Sequence, residues 1–340
     1  MFRKTIYILH IVIFVLAVSG CTKEDIGNGD VQPYITFGVS GIDIDTKALI
    51  TGDDLNSNSH PQVRVYGVKN NTEKIFDGTL IYKGETNNWV TPEQVRKNWE
   101  AGKSYSFHGY TYSPQTPTHG ASMSISNTTG LKITVSQPDT YSENDMIDYM
   151  LSHAYKVADG KNYRTVMLYM QHAMAWVEIE VWKEQENHEV ELKEIKLSNI
   201  YRTAVMQCDF QAVAGSGEKN VWSVQLGGKN DQVYSVGPFS KPADGVTKLG
   251  YMRVMAIPQQ ITNNTSLYVK YAVTEPSGVK TYEQTFYLKD YVPYVWESGH
   301  KIKYTLKINT GVHLDASIAE WKEGGYTEGI ILPQEVPTNL

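Results

Sequence analysis

The chain has 340 residues and a formal net charge of −6, from 31 basic and 37 acidic side chains. This acidic balance, with no basic stripe interleaved with aromatic residues, argues against a nucleic-acid-binding protein. Only two cysteines are present, so no disulfide framework is available and stability must come from core packing. The length is sufficient for two domains of ordinary size.

The first predicted element is a lipoprotein signal peptide over residues 1–20. Two basic residues open the chain, and the apolar run over 5–18 is shorter than the about 20 residues that a membrane span needs. Small residues then lead into Cys21. This resembles the lipobox of bacterial lipoproteins, in which the chain is cut between Gly20 and Cys21 and the thiol takes a diacylglycerol. An ordinary secretory signal with an incidental cysteine is the alternative.

Lipidation at Cys21 would anchor the mature chain to a membrane without spanning it. Residues 22–25 are Thr-Lys-Glu-Asp, and an acidic stretch at this position resembles a signal for export to the outer face of the outer membrane. A solvated tether is the alternative interpretation of the same residues. We therefore expect a tether over 21–34, contact with outer-membrane lipid, and a surface-exposed location.

Short runs of alternating apolar and polar residues, bounded by turn residues, predict antiparallel strands in the first half of the mature chain. Residues 92–102 are the one helix candidate, with Thr91 as N-cap and Pro92 at the first position. Residues 145–155 fit either a strand or a helical turn. The predicted strands are 36–41, 61–68, 76–84, 104–113 and 131–136.

The longest strand signal covers residues 165–183. From residue 176 onward the alternation is strict, which predicts that Glu178 and Glu180 face water. Residues 190–200 are the expected hairpin partner of this strand. A later strand is expected to bury one face, formed by Leu267, Val269, Tyr271 and Val273.

A phrase that begins at Trp99, Trp-Glu-Ala-Gly-Lys-Ser-Tyr, returns in similar form from Trp296 as Trp-Glu-Ser-Gly-His-Lys-Ile. In each copy we expect the tryptophan to pack on a sheet while the next three residues turn the chain into a core strand. Regular strand spacing without alternating helices predicts all-β sandwiches and no doubly wound sheet. The polar stretch 158–164 then divides the chain into an N-terminal β-sandwich domain over 35–163 and a C-terminal one over 164–340.

The motifs of common catalytic and metal sites are missing from the sequence. There is no His-Glu-x-x-His zinc motif, no nucleophile elbow, and no Walker A or dinucleotide fingerprint. Asp43 and Asp45 are interpreted as a solvated strand face, with acid–base catalysis as the alternative. His172 is interpreted as a satisfied, half-buried histidine, with a ligand role as the alternative. Trp89 and Trp99 are interpreted as core or turn packing, with a sugar-binding platform as the alternative. We expect no catalytic residue, no metal and no cofactor.

Several phrases, taken together and in order, resemble the fimbrillin family, the subunits of type V pili and their relatives. They are the lipobox, Asp-Ile-Asp-Thr-Lys-Ala from Asp43, the strand phrase over 166–181 and the later phrases over 255–260 and 296–308. The resemblance implies an all-β fold of two tandem transthyretin-like antiparallel β-sandwich domains. It also implies a non-enzymatic surface lipoprotein of the outer membrane that builds fimbriae and serves cell adhesion.

In polymerising members of the family, a surface protease removes the N-terminal segment with its first strand, and the vacated groove accepts a strand from the next subunit. The position that matches the cut is Lys47–Ala48, and the implied removable strand is 36–47. The family's protease prefers arginine, and Arg64 is the first arginine of the mature chain, so an uncleaved anchor is the other possibility. The loosely patterned tail makes 316–340 the candidate donor.

The expected partners are other fimbrillin subunits by donor-strand exchange, outer-membrane lipid, and a receptor on a host or bacterial surface. The alternative function is a monomeric surface lipoprotein that binds a glycan or a host ligand through exposed tyrosines. In either case, the mature protein acts outside the cell.

Overall fold

Strands account for nearly all of the regular structure in this computed structural model, which confirms the predicted all-β fold. The residues that the structure describes are 33–40, 63–83, 89–113, 119–126, 130–158, 163–184, 189–209, 223–241, 247–308 and 312–320. Within these ranges the helical elements are three 3-10 turns, over Glu93–Val95, Glu143–Asp145 and Leu288–Asp290.

The described residues form 22 strands. The strands of the first half are β1 (Phe37–Ser40), β2 (Val63–Lys69), β3 (Glu73–Lys83), β4 (Trp89–Val90), β5 (Ser104–Ser113), β6 (Ser122–Ser126), β7 (Gly130–Ser136), β8 (Asp148–Val157), β9 (Val166–Tyr169), β10 (Gln171–His172) and β11 (Ala175–Lys183). Those of the second half are β12 (Glu189–Ile200), β13 (Thr203–Asp209), β14 (Ser223–Gly227), β15 (Gln232–Val236), β16 (Lys248–Ala256), β17 (Gln259–Gln260), β18 (Ser266–Glu275), β19 (Gly278–Tyr287), β20 (Val295–Trp296), β21 (His300–Ile308) and β22 (Val312–Glu320).

A six-stranded antiparallel sheet, in the order β10-β8-β5-β2-β3-β4, carries the first core on one of its faces. The two-stranded sheet of β1 and β9 contributes to the same buried cluster. Side chains alternate between faces, so Met150 of β8 joins this cluster while Tyr149 and Leu151 join a larger core on the other side. The first core includes Ile35, Phe37, Val63, Val65, Phe76, Ile81, Trp99, Phe107, Val166 and Leu168.

The larger core lies among three four-stranded sheets, in the orders β16-β11-β21-β22, β15-β12-β18-β19 and β14-β13-β7-β6. In the third sheet Ile133 of β7 lies opposite Met206 of β13. This pairing joins segments from both halves of the chain, and the described residues from Tyr34 onward form one compact unit. The division into domains over 35–163 and 164–340 stays a prediction.

Residues 190–200 do not form the expected hairpin with the strand before them. β12 pairs with β15 and β18, whereas β11 pairs antiparallel with β16 and parallel with β21. Ile179 of β11 and Ile195 of β12 are both fully buried in the larger core. The hairpin prediction is wrong because the two strands lie in different sheets of that core.

Residues 92–102 do not form the expected helix. Only Glu93–Val95 forms a 3-10 turn, and the residue after it is extended, with ψ of 140°. The carbonyl of Lys97 then accepts a hydrogen bond from the amide of Ile35 at 2.8 Å, and Trp99 is buried. The helix prediction is wrong because these tertiary contacts need extended backbone and outweigh the local propensity.

The repeated tryptophan phrase builds a similar corner twice, as the sequence predicts. Trp99 precedes β5, and its ring lies 4.8 Å from that of Tyr105. Trp296 precedes β21, and its indole Nε1 donates to the hydroxyl of Tyr304 at 3.1 Å. The glycine three residues after each tryptophan has a positive φ, 76° in the first corner and 70° in the second, which is why glycine stands there.

The glutamates of β11 are covered and do not face water, so that part of the prediction is wrong. Glu178 and Glu180 are each 5% exposed. Glu178 accepts a hydrogen bond from Arg253 at 3.2 Å, and Glu180 pairs with Lys303 at 2.8 Å and with Lys248. Burial raises the pKa of Glu180, but the hydrogen bonds from the two lysines outweigh it and hold the pKa below its ordinary value. Long cationic side chains from neighbouring strands therefore cover and compensate the carboxylates.

Candidate functional site

The segment 36–47, predicted to be removable, begins as β1, which lies parallel to β9. Phe37 lies opposite Val166 in this pairing. The amide of Val166 donates to the carbonyl of Thr36 at 2.8 Å, and the hydroxyls of Thr36 and Thr165 lie 3.0 Å apart. A short strand pair therefore fixes the start of the described chain on the first core.

Alternation along β1 directs its large apolar side chains into that core. Ile35 and Phe37 are 1% and 3% exposed, whereas Thr36 between them is exposed. The ring of Phe37 lies edge-on to the rings of Phe76 and Phe107, with a centroid distance of 5.4 Å in both cases. Edge-on aromatic pairs at this separation are favourable, so Phe37 anchors β1.

The residues just before β1 are held by the segment that follows the first 3-10 turn. The amide of Ile35 donates to the carbonyl of Lys97 at 2.8 Å, and Tyr34 forms an isolated antiparallel bridge with Asn98. The guanidinium of Arg96 lies 5.7 Å from the ring centroid of Tyr34, within cation–π range. The strand is therefore held on two sides, by β9 and by residues 96–98.

Trp99 completes an aromatic wall beside Phe37. Its ring lies 6.1 Å from Phe107 and is stacked with Tyr163 at 6.3 Å. We call the space between β9, residues 96–98 and this wall the β1 slot. It can hold an extended segment that offers a large apolar side chain at every second residue, because main-chain hydrogen bonds are available along it and pockets take alternate side chains.

Two titratable groups lie on strands that form this part of the fold. Lys69, at the end of β2, donates to Glu100 and to Glu73, and both hydrogen bonds raise the pKa of the lysine. His108, on β5, is fully buried on the face away from the slot. Burial, with a smaller contribution from the charge of His153, lowers the pKa of His108 to about 3. The histidine is therefore uncharged at neutral pH.

Most of the site residues predicted from the sequence lie outside the described residues. These are Gly20 and Cys21 of the lipobox, Lys47 and Ala48 of the processing position, and Asp43 and Asp45. Of the segment 36–47 the structure describes 36–40. Of the candidate donor 316–340 it describes 316–320, which belong to β22 and pair with β21.

Three other predicted residues are described. Trp99 and His172 are buried, whereas Trp89 is half-buried and packs against the first core. Trp99 is 3% exposed, which confirms core packing and leaves its ring unable to stack on a sugar. His172 is 9% exposed, and its Nδ1 lies 3.1 Å from Oδ1 of Asp148, as expected for a histidine with a structural role. Among the described residues, no group of three or more His, Cys, Asp or Glu side chains could hold a metal ion.

Sequence reasoning identified the first strand but missed its partners. The alternation of Ile35, Phe37 and Val39 is visible in the sequence, and it is the signal that defines the inward face of β1. The contacts of Phe37 with Phe76 and Phe107 join segments that are distant in the chain, and no local pattern marks them. Within the described residues, no helix is long and apolar enough to cross a membrane.

Comparison with known proteins adds family and fold relationships to this geometry. A family model described as fimbrillin-like matches residues 46–321. A candidate cell adhesion protein from Bacteroides uniformis has a similar structure, with a TM-score of 0.50 and 14% identity over 86% of this chain and 99% of that one. A similar candidate from Bacteroides ovatus has a TM-score of 0.51 and 13% identity over 87% of this chain and 100% of that one. A search of curated proteins finds no significant match.

Proposed function

Because the chain belongs to the fimbrillin-like family, whose members and fold indicate a pilus or adhesion role, we propose that it is a lipid-anchored pilus subunit that assembles by strand exchange. Family and fold indicate a structural protein at the cell surface and not an enzyme. The lipid at Cys21, the cut between Lys47 and Ala48 and the exchange of a strand between subunits are proposed here.

The burial of Phe37 in the β1 slot is the observation that carries the proposal. Ile35 and Phe37 come from a segment that precedes Lys47, yet they fill the core of the sheet that follows it. Each side chain of this size contributes about 1.5–3 kcal/mol when it is buried. A cut between Lys47 and Ala48 would leave these two side chains on a separate peptide, and its loss would open an apolar slot that favours an incoming strand.

The donor is proposed to come from the C-terminal segment of another subunit. Within 316–340, residues 316–320 are already paired in β22, so the part available for exchange is 321–340. It contains Ile330, Ile331 and Leu332, which can supply the apolar side chains that the slot loses with Ile35 and Phe37.

Anchoring is proposed to occur through Cys21 before assembly. The small residues before Cys21 and the apolar run before them support cleavage after Gly20 and acylation of the thiol. Two or three acyl chains would hold the precursor at the outer membrane, since each buried methylene contributes about 0.8 kcal/mol. Adhesion to a host or bacterial receptor is the proposed role of the assembled fimbria.

The experiment that tests strand exchange uses the full chain with a specific protease site in place of Lys47–Ala48. After cutting, we expect the released N-terminal peptide to dissociate and multimers that resist heating in detergent to form. An uncut sample and a variant without residues 326–340 should both remain monomeric. Cut protein that stays monomeric, or multimers that form equally without 326–340, would refute the proposed exchange.

Exposed tyrosines favour the second candidate, a monomeric lipoprotein that binds a glycan or host ligand. Tyr82, Tyr169, Tyr287 and Tyr294 are between 45% and 58% exposed, and such rings can stack on sugars. Binding of the uncut monomer to a glycan array, lost on Tyr→Ala substitution at these positions, would support this function. Multimers that form after the cut would favour the pilus subunit.

A further inference from the structure

A second groove lies away from the β1 slot, between β14 and the short β17–β20 sheet. Its volume is about 440 Å³, which is within the about 300–1,000 Å³ of typical binding clefts. We call it the β14 groove. Its walls include Val224, Leu226, Pro258, Val295, Trp296 and Ser298.

Two apolar side chains of the β14 groove are partly exposed to solvent. Val224 of β14 lies opposite Met206 of β13, so both side chains are on the same face of the sheet. Met206 is 1% exposed, but Val224 is 37% exposed, as is Val295 across the groove. An inward-facing valine with this exposure leaves apolar surface uncovered at the edge of the sheet.

The edge of β14 is also available for an added strand. β14 is the last strand of the sheet β14-β13-β7-β6, so one of its edges has no strand partner among the described residues. Unpaired amide and carbonyl groups along an edge accept an extended segment by strand addition. A free edge beside an apolar groove therefore fits a peptide strand better than a compact small molecule.

The chain itself places a segment next to this groove. β22 ends at Glu320, which lies opposite His300 in its pairing with β21. Ser298 of the groove wall is only two residues before His300. The described chain therefore ends, at Glu320, near the groove. Ten extended residues span about 33 Å, which is long enough for residues 330–332 to reach it.

We propose that residues 330–332 of the same chain dock in the β14 groove as an added strand along β14. Ile330, Ile331 and Leu332 form the longest apolar run of the tail, and they match the exposed apolar walls at Val224 and Val295. Docking in the uncut chain keeps this run out of water before any exchange. The proposal goes beyond the proposed function, because it concerns a single polypeptide and holds whether or not a subunit is exchanged.

The test is photo-crosslinking in the full, uncut chain with benzoylphenylalanine in place of Val295. Peptide mapping should find the cross-link in residues 326–340. In an equal mixture of ¹⁵N-labelled and unlabelled protein, each cross-link should join two labelled peptides or two unlabelled peptides, since the tail and the groove belong to one chain. Benzoylphenylalanine at Val279, which is 69% exposed on β19, is the control for non-specific reaction.

A substitution in the tail distinguishes binding of the tail in the β14 groove from a tail that only lies near the groove. Ile331→Asp should lower the docking equilibrium constant at least about tenfold, since one buried side chain of this size is worth about that factor or more, and the cross-link yield should fall with it. Asn339→Asp adds the same charge outside the apolar run and should leave the yield unchanged. Mixed-isotope cross-links, cross-links that map outside 321–340, or a yield that Ile331→Asp does not change would each overturn the proposal. None of these results depends on a cut after Lys47, so failure here leaves strand exchange to its own test.

Discussion

The ring of Phe37 meets the ring of Phe107 edge-on, with 5.4 Å between their centroids. The first residue belongs to the strand that is proposed to be removed, and the second to the middle of the sheet that would remain. This contact therefore makes the core of the precursor depend on a segment that the mature subunit would lose.

Truncation of the Phe37 side chain, which anchors β1, should destabilise the uncut chain. Phe37→Ala removes a ring that is 97% buried among aromatic neighbours, and we expect a loss of about 3–5 kcal/mol in the free energy of unfolding. Urea unfolding of a chain that begins at residue 22 measures this. Val279→Ala, at a 69% exposed position, should change stability by about 0.5 kcal/mol or less. Equal losses for the two variants would contradict the anchoring role of Phe37.

Processing should depend on the side chain at position 47. If a trypsin-like surface protease cuts between Lys47 and Ala48, Lys47→Ala abolishes the cut, and Lys47→Arg accelerates it with an arginine-preferring enzyme. N-terminal sequencing of the cell-surface form gives the answer directly. Lys132→Ala, at an exposed position on β7, removes one positive charge elsewhere and should leave processing intact. A mature form that begins at Ala48 despite Lys47→Ala would rule out recognition of this lysine.

Lipid attachment should require one of the two cysteines and not the other. Cys21→Ala should abolish incorporation of labelled palmitate and release the protein from the membrane fraction, because acylation would need that thiol. Cys208→Ala is a matched control, since it removes the only other thiol of the chain, and it should keep the label. Label that persists in the Cys21→Ala variant would contradict the lipoprotein prediction.

Stability should decrease as the pH is lowered through the range in which His108 is protonated in the unfolded state but not in the folded state. Burial lowers the pKa of His108 from 6.5 to about 3. Below pH 6.5 the unfolded state therefore binds a proton that the folded state excludes, so stability decreases as the pH falls, by at most about 1.4 kcal/mol per pH unit from this residue.

The measurement that isolates this effect is the free energy of unfolding in urea between about pH 6.5 and 5. Loss of the Glu180 ion pairs begins only below this window, since the unfolded carboxyl titrates around its ordinary pKa of about 4.3. His108→Leu should flatten the pH dependence in this window, and His313→Gln, at an exposed position on β22, is the control substitution. Identical slopes for wild type and His108→Leu would refute the prediction.

Local pattern was sufficient to predict many of the strands and their buried faces. Leu267, Val269, Tyr271 and Val273 are at most 8% exposed, as their period-2 spacing predicts. Trp99 and Trp296 are both buried before a core strand, as the repeated phrase predicts. These features follow from residues close together in the chain, where periodicity and turn chemistry act directly.

The amino-acid sequence alone determined the all-β class, the alternating faces and the aromatic corners, because each depends on side chains a few residues apart. Only the tertiary structure decided the parallel pairing of β1 with β9, the extended path after Val95 and the covering of Glu178 and Glu180 by cations. Each of these depends on which distant segments meet. Alternation requires a strand to bury one face but does not specify against which partner, so the partner is chosen by the packing of the whole core.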